Sequence, residues 1–401
     1  MRFIFVALIA ALLNMAGLAA TKAAAVGADS LETFTVQKTL SEEPAGGVRS
    51  PLCAVDLDRG ESQVVEMHDG SKARVKLMEG QEPFAARTRV SLREGQWLIN
   101  DEVTCRGARA EGLLMNVRMV NSVFEDRRKP DFDPEANTDR FLARVPDYAS
   151  HGVRAFTLCL QGGMPGYEGA LNSAFAPDGS LREPYLARVR RVIEACDRQG
   201  LVVILGCFYQ RQDQVLADEA AVRAGVVNVA NWIRRCGFGN VVLEIANEFD
   251  HGGFDHRLLR TVDGEIELIH LAKETAPGLL VSASGLGHGR YPDKLAEAAD
   301  FLLIHFNGTQ LDDIPVRIAA LKKFGKPIVC NEDDKEGKAA ARAAELCVAN
   351  GASWGLMLKA INQYFPLEFH GAADDPVVYA KLKELTSPRP RAGFRPGTTS
   401  R

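Results

Sequence analysis

The segment Val241–Asp250 has the sequence VVLEIANEFD, an apolar run broken only by Glu244 that passes directly into Asn247 and Glu248. A strand that is continuously apolar, rather than alternating with polar residues, is typical of a parallel sheet covered on both faces. The segment therefore predicts a buried parallel strand. Because the polar residues come where the strand leaves the core, it also predicts a candidate site at the strand's carboxyl end.

Eight apolar runs of this kind, separated by amphipathic stretches of helix length, occur from about residue 111 onward. They are GLLMNVRMV, VRAFTLCL, LVVILGCF, NVVLEIAN, GLLVSAS, FLLIHF, KPIVCN and ASWGLML. Eight strand–helix units in roughly 270 residues match the size and count of a (β/α)8, or TIM, barrel, so we predict an α/β protein of this architecture. An open doubly wound sheet is the alternative, but no GxGxxG or P-loop motif follows a run, so nucleotide binding has no support.

Composition divides the rest of the chain. The 401 residues carry a formal net charge of -4 and are 46% hydrophobic, which indicates a sizeable core and no basic surface for nucleic acid. We expect a signal peptide at 1–25, a linker at 26–50, a small β-rich module at 51–108, the barrel at 111–386 and a disordered tail at 387–401.

The N-terminal segment has the pattern of a secretory signal. Arg2 lies beside the amino terminus, an apolar run follows, and Ala23–Ala25 provide small residues for cleavage. The mature protein is therefore expected to be secreted or periplasmic. An uncleaved N-terminal membrane anchor is the alternative, because the apolar run is nearly long enough to span a bilayer.

The module at 51–108 contains two hairpin patterns. Alternating apolar and polar residues flank Asp69–Gly70, and a second pair of runs flanks Gly95. Two roles stay open for this module: it closes the bottom or edge of the barrel, or it binds a sugar or a partner.

The eight cysteines do not have the dense spacing of a small disulfide scaffold. Cys53 with Cys105, and Cys196 with Cys236, are the pairs that could form bridges. No cysteine or histidine cluster has zinc-ligand spacing.

Two glutamates end runs that face each other across the mouth of such a barrel. Glu248 ends the fourth run and Glu332 follows the seventh, and active sites of these barrels lie at the carboxyl ends of the strands. Two facing carboxylates suit glycoside hydrolysis, in which one donates a proton and the other attacks the anomeric carbon or activates water. Their mutual repulsion is expected to raise the pKa of the acid.

Other residues at the strand ends are predicted to contact the substrate or the glutamates. Asn247 is expected to hold a sugar hydroxyl, and Trp354 is expected to offer a flat face to a pyranose ring. His305 and Arg118 are expected to control the charge of the two glutamates. The remaining predicted substrate-binding residues are Gln161, Tyr209 and Asn307.

Together these motifs resemble a known clan. ExxNE at Glu244–Glu248, a histidine at His305, PIVCNED around Glu332 and ASWG around Trp354 are similar to the retaining (β/α)8 glycoside hydrolases that include the family 5 cellulases and mannanases. The resemblance covers about residues 111–385. It implies cleavage of β-linked glycosides by double displacement, with Glu248 as general acid/base and Glu332 as nucleophile. It also implies an oligo- or polysaccharide substrate and no cofactor or metal.

Three positions depart from the family pattern. Phe249 stands where a proline usually follows the acid, Asn307 where a tyrosine is common, and Tyr209–Gln210 where a histidine is frequent. Aromatic residues make up 7% of the chain and only three are tryptophan. A short pocket, or an unusual substrate, is therefore expected rather than a long groove that stacks many sugars.

Two other functions stay open. One is a metal-assisted hydrolase or lyase that uses a loop cluster of acidic residues and histidines, although a solvated loop is favoured. The cluster consists of Asp250, His251, Asp255 and His256. The other is a barrel without catalysis that binds a glycan or a partner at the same mouth.

Nearby acidic residues have a structural interpretation. Glu244 lies within the strand and is expected to be a buried carboxyl group rather than a catalyst. Asp333, Asp334 and Glu336 are expected to mark the start of a helix, where negative charge complements the helix dipole.

Overall fold

The computed structural model describes residues 62–66, 72–76, 83–162 and 169–389. The predicted signal peptide and linker lie outside these residues, as do Asp69–Gly70, Cys53 and residues 390–401 of the predicted tail. Within the described ranges, no helix has the length and apolar character needed to cross a membrane.

Short antiparallel strands precede the main sheet. They are β1 (Ser62–Glu66), β2 (Lys72–Lys76), β3 (Val90–Arg93), β4 (Gln96–Ile99) and β5 (Glu102–Val103). β1 pairs with β2, and β3, β4 and β5 form a second sheet. The predicted hairpin at Gly95 is confirmed, and this residue has φ 75°, a left-handed conformation that glycine adopts without steric cost.

Parallel strands and helices alternate through the rest of the described chain. They are β6 (Asn116–Arg118), α1 (Pro134–Leu142), α2 (Val145–Ser150), β7 (Ala155–Cys159), α3 (Glu183–Arg198), β8 (Val202–Tyr209), α4 (Glu219–Cys236), β9 (Val241–Asn247), α5 (Val262–Thr275), β10 (Val281–Ser282), α6 (Asp293–Ala298), β11 (Leu302–His305), α7 (Asp313–Leu321), β12 (Ile328–Glu332), α8 (Gly337–Ala349), β13 (Gly355–Leu356) and α9 (Pro376–Thr386). Each predicted apolar run contains one of the strands from β6 to β13.

The strands pair in the order of the chain. A six-stranded parallel sheet has the order β10-β9-β8-β7-β6-β13, and β11 pairs in parallel with β12. Parallel bridges join Ser284 to Leu303 and Val329 to Ser353, on either side of the two-stranded sheet. The predicted α/β class with a helix-covered parallel sheet is confirmed.

The sheet of β3, β4 and β5 covers the amino-terminal ends of the parallel strands. Trp97 of β4 is fully buried, and its ring meets Phe301 edge-on with the centroids 5.2 Å apart. Around it lies a cluster formed by residues near the starts of several strands: Leu114, Ala155, Val202, Val242, Phe301 and Val329. Of the two roles left open for the module, this packing favours closure of the main domain at the amino-terminal ends of its strands, away from the strand ends that carry the candidate site.

The cysteines do not form the bridge considered for Cys196 and Cys236. Neither side chain is in a disulfide, both are buried, and burial raises the pKa of each thiol. Cys105 is also free. These side chains contribute to the structure as small apolar groups.

Gly179 is expected to be intolerant of a side chain. It has φ 79°, and a Cβ atom there would collide with the carbonyl oxygen of Ala221 and lie 2.8 Å from the amide nitrogen of Gly225 in α4. Gly200 has φ 68° with open space around it. Gly200→Ala should therefore cost only the left-handed strain, roughly 1–2 kcal/mol, and Gly179→Ala about 1–3 kcal/mol more from overpacking.

Urea unfolding of the two variants and the parent protein measures this difference. Equal destabilisation by both substitutions would show that the close approach of the Gly179 loop to α4 is not a constraint on the fold.

Candidate active site

Glu248 and Glu332 meet at the imidazole of His305. The Nδ1 atom of His305 lies 3.1 Å from Oε1 of Glu248 and 3.6 Å from Oε2 of Glu332. One ring nitrogen of His305 and one carboxylate oxygen of each glutamate all lie within 4.8 Å of one another. The carboxyl ends of β9, β11 and β12 therefore bring two carboxylates and one imidazole into a single cluster.

The backbone turns sharply at Glu248, directly after β9. This residue has φ 52°, in the left-handed region that non-glycine residues seldom adopt. Its N–H donates to Oγ of Ser284 at 3.0 Å, and its carbonyl accepts from the N–H of His251 at 2.7 Å. Strained residues of this kind cost roughly 1–3 kcal/mol and cluster at active sites. Here the turn directs the Glu248 carboxyl group towards His305.

Glu332 has an ion-pair partner at the end of β6 and a hydrogen-bond donor just after β11. Nε of Arg118 lies 2.9 Å from Oε2 of Glu332, and Nδ2 of Asn307 donates to Oε1. Arg118 is fully buried. Burial opposes its charge, but Glu332 and other neighbours raise the pKa of Arg118 above its ordinary value, so the side chain is a guanidinium cation.

The pKa values of Glu248 and His305 are shifted in opposite directions. Burial raises the pKa of Glu248, but the hydrogen bond and the charge of His305 bring it below its usual value. Burial lowers the pKa of His305, but Glu332 and Glu248 raise it above its usual value. The prediction of a raised pKa for the acid is therefore wrong for this form of the protein. The hydrogen bond and charge of His305, with the charges of Arg118 and His251, outweigh the effect of burial.

Asn247 and Gln210 connect Arg118 to Glu248. Arg118 donates to Oδ1 of Asn247 at 2.8 Å. Nδ2 of Asn247 donates to Oε1 of Gln210 at 3.1 Å, and Nε2 of Gln210 donates to Oε2 of Glu248 at 3.1 Å. Gln210 was not among the predicted site residues. Its position directly after β8 was the available signal, because every other member of this network also lies at or beside a strand end.

Two predicted substrate contacts are wrong in this structure. Trp354 is fully buried, and its indole Nε1 donates to Oδ2 of Asp333 at 2.8 Å, so it offers no face to a sugar. Gln161 is also fully buried, and its Nε2 donates to Oγ of Ser173 and to the carbonyl of Gln212, each at 3.1 Å. Both side chains hold elements of the fold together beneath the site.

Tyr209 lies beside the site, with only a small part of its surface exposed. The Cζ atom of Arg118 is 5.9 Å from the centroid of its ring, a distance that allows a cation–π contact. Burial raises the pKa of Tyr209, so its hydroxyl is neutral near pH 7.

The acidic residues after β12 do not all mark a helix start. Asp333 is buried and pairs with Nζ of Lys335 at 2.8 Å. Asp334 accepts from the N–H of Gly308 at 3.0 Å and from Nζ of Lys359 at 2.7 Å. The helix interpretation is therefore wrong for these two aspartates, which fix the loop after β12.

Glu244 is fully buried, as expected, and burial raises its pKa.

The loop cluster considered for a metal is held by hydrogen bonds within the fold. Nδ1 of His256 lies 2.8 Å from Oδ2 of Asp213, and Nδ1 of His251 accepts from the N–H of Gly253 at 2.9 Å. Asp250 accepts from the N–H of Leu286 at 3.0 Å. These partners occupy atoms that a metal would need.

Across the described ranges, the one group of three donor side chains close enough to share a metal is Glu248, His305 and Glu332. The guanidinium of Arg118 lies 2.9 Å from one of its oxygens and already supplies positive charge. Because a second cation there would be repelled, we interpret the cluster as an ion-paired acid–base site.

Comparison with solved structures finds the same fold in glycoside hydrolases. A protein from Bacteroides vulgatus ATCC 8482 assigned as a glycoside hydrolase has a TM-score of 0.54 and 14% identity, over 78% of this chain and 63% of its own. A family 5 glycoside hydrolase from the same organism has a TM-score of 0.53 and 13% identity, over 74% of this chain and 71% of its own. The β-1,4-D-mannanase of Cryptopygus antarcticus has a TM-score of 0.53 and 12% identity, over 75% of this chain and 95% of its own.

This chain thus spans less than two thirds of the length of the first of these proteins. At such identities the likeness establishes the fold alone, an α/β fold similar to that of these glycoside hydrolases. No sequence model of a protein family matches the chain, and no curated protein sequence matches it.

His305 should make a pH-dependent contribution to stability. Its folded pKa is raised, so the stabilisation is fully present below the unfolded value of about 6.5 and is lost as pH rises through the folded pKa. The stability lost in His305→Gln should therefore be largest near pH 6 and shrink towards pH 9. Urea unfolding across this range measures it, with His270→Gln on the exposed face of α5 as the control. A loss that does not change with pH would contradict the raised pKa.

Proposed function

We propose that this protein is an exported glycoside hydrolase that cleaves β-linked glycosides with retention of configuration, on a closed (β/α)8 barrel. One observation carries the proposal: a carboxylate oxygen of Glu248 and one of Glu332 lie within 4.8 Å of one another at the strand ends. Carboxyl groups of retaining enzymes are about 5–5.5 Å apart, and those of inverting enzymes about 6.5–9.5 Å. A separation within 4.8 Å between the two oxygens supports a retaining pair rather than an inverting one.

The surroundings of the two glutamates support different roles. Glu332 has Arg118 beside one oxygen and Asn307 beside the other, which hold its carboxylate in place for attack on the anomeric carbon. Glu248 then donates a proton to the departing glycosidic oxygen. In the second step Glu248 takes a proton from water, and that water releases the sugar from Glu332.

His305 is proposed to carry the proton that Glu248 uses. Its Nδ1 lies 3.1 Å from Oε1 of Glu248, and the pKa shifts favour the proton on the imidazole in the free protein. Attack by Glu332 removes one negative charge from the cluster. The imidazolium is then less stabilised, which favours transfer of its proton towards Glu248 and the leaving oxygen.

The substrate is proposed to be a β-linked oligosaccharide bound in a short pocket. All three tryptophans are buried, so none of them forms a stacking platform for a long polysaccharide. The mannanase among the structural neighbours makes β-1,4-linked mannan fragments the first substrates to test. Export is proposed from the N-terminal signal pattern alone.

A glycan-binding barrel without catalysis is the second candidate. The pKa of Glu248 below its usual value favours it, because a general acid must carry a proton. Binding without turnover of the same oligosaccharides would identify this function.

Glu332→Gln should abolish hydrolysis of β-linked manno- and gluco-oligosaccharides, because the amide cannot form the glycosyl ester. Glu248→Gln should lower kcat about 10²–10⁴-fold, the usual contribution of an acid–base group. Glu336→Gln is the control and should retain activity, because Glu336 is exposed and lies directly before α8 in the same loop. Full activity in either of the first two variants would refute the assignment of that glutamate.

Stereochemistry and azide rescue test the mechanism. Proton NMR of the first product formed should show the β-anomer before mutarotation. Glu248→Ala should be reactivated by azide on an activated aryl β-glycoside and yield the β-glycosyl azide, because azide needs no general base. An α-configured first product would mean inversion and would exclude Glu332 as nucleophile.

A further inference from the structure

We propose that Gln210 is a positioning residue for the proton donor, and that it links the orientation of Glu248 to the arginine that holds Glu332. This inference rests on the proposed function, because it assigns Gln210 a part in that reaction. Three hydrogen bonds carry it: Arg118 to Asn247 at 2.8 Å, Asn247 to Gln210 at 3.1 Å, and Gln210 to Glu248 at 3.1 Å.

Hydrogen-bond direction along this path is determined by its first member. A guanidinium has five donors and no acceptor, so Asn247 must present Oδ1 to Arg118. Its Nδ2 then faces Gln210 and requires Oε1 there. The remaining group of Gln210, Nε2, is left to face Glu248, to which it can only donate. Each amide therefore has one permitted orientation.

The backbone makes this path short and rigid. Tyr209 of β8 pairs with Asn247 of β9 in the parallel sheet, so Gln210 and Glu248 are the next residues along neighbouring strands. Asn247 is fully buried and Gln210 is 7% exposed. Buried amides in this position have little access to water as an alternative partner, so the protein network decides their orientation.

Glu248 consequently has a different partner on each oxygen. Oε2 accepts from Gln210 at 3.1 Å, and Oε1 faces Nδ1 of His305 at 3.1 Å. Rotation of the carboxyl group would break both contacts. Gln210 thus keeps Oε1 as the oxygen that exchanges a proton with His305. It also holds the plane of the Glu248 carboxyl group in one orientation relative to Glu332.

The matched pair of variants is Gln210→Ala and Gln214→Ala. Gln214 is exposed, lies in the same loop, and donates to the carbonyl of Gly253 at 3.1 Å, away from the glutamates. Thermal unfolding verifies that both variants fold. Gln210→Glu is the second variant, since it keeps the size of the side chain but replaces the donor with a group that donates only when protonated.

The kinetic test compares aryl β-glycosides with different leaving groups. Departure of 2,4-dinitrophenolate needs no proton, whereas departure of phenolate does. Because Glu248 also acts as the base of the second step, the comparison uses kcat/KM, which reports the first step alone. Gln210→Ala should lower kcat/KM for the phenyl glycoside about 10–100-fold, part of the usual acid–base contribution. Its kcat/KM for the dinitrophenyl glycoside should stay within about 3-fold of the parent, and Gln214→Ala should match the parent on both. Equal losses on both substrates would overturn the proposal.

Gln210→Glu gives a pH signature that a purely structural role would not produce. Its kcat relative to the parent should rise as pH falls, because the protonated carboxyl group regains the donor that faces Glu248. A relative kcat that is constant across pH would overturn the proposal.

A third readout does not require turnover. Loss of the Gln210 donor leaves more negative charge on Glu248, so NMR should show a higher titration midpoint for His305 in Gln210→Ala and no change in Gln214→Ala. The charged or titratable groups around His305 and Glu248 are Arg118, Tyr209, Glu244, His251, His288 and Glu332. An unchanged midpoint in Gln210→Ala would overturn the inference. A protein that hydrolyses no glycoside but shows this shift would refute the proposed function and leave the Gln210 contact standing.

Discussion

The candidate site depends on one buried cation. Arg118 has no exposed surface at the end of β6, and an uncompensated charge in such a position would be very costly. Glu332 compensates it at 2.9 Å, and Asn247 accepts from it at 2.8 Å. Because the guanidinium only donates, these partners must present oxygen atoms to it. The orientation of the remaining polar groups follows from that requirement.

The fold makes this arrangement possible by bringing together residues far apart in the chain. Four parallel strands end in polar residues, and their carboxyl ends point the same way: these residues are Arg118, Asn247, His305 and Glu332. The opposite ends are covered by β3, β4 and β5 through Trp97. The core is thus closed at one end, and the polar groups gather at the other.

Much of the fold was predictable because the apolar runs are long and lack alternation. Each predicted run contains a strand, since a strand between two layers of apolar side chains must be apolar on both faces. The role of the N-terminal sheet was not predictable. Whether Trp97 closes a barrel or contacts a sugar depends on what lies beneath it, and hairpin patterns do not report on distant contacts.

Within the site, the residue pattern was enough to predict which strand ends carry carboxylates, as for Glu248 and Glu332 in NE motifs after apolar runs. The environment of each group could be found only from the folded protein. Trp354 looked available for a sugar but is buried against Asp333, and Gln210 became important only through its contact with Glu248. The reason is physical: strand identity depends on local side-chain pattern, whereas burial, hydrogen-bond direction and pKa depend on neighbours that folding brings from other parts of the chain.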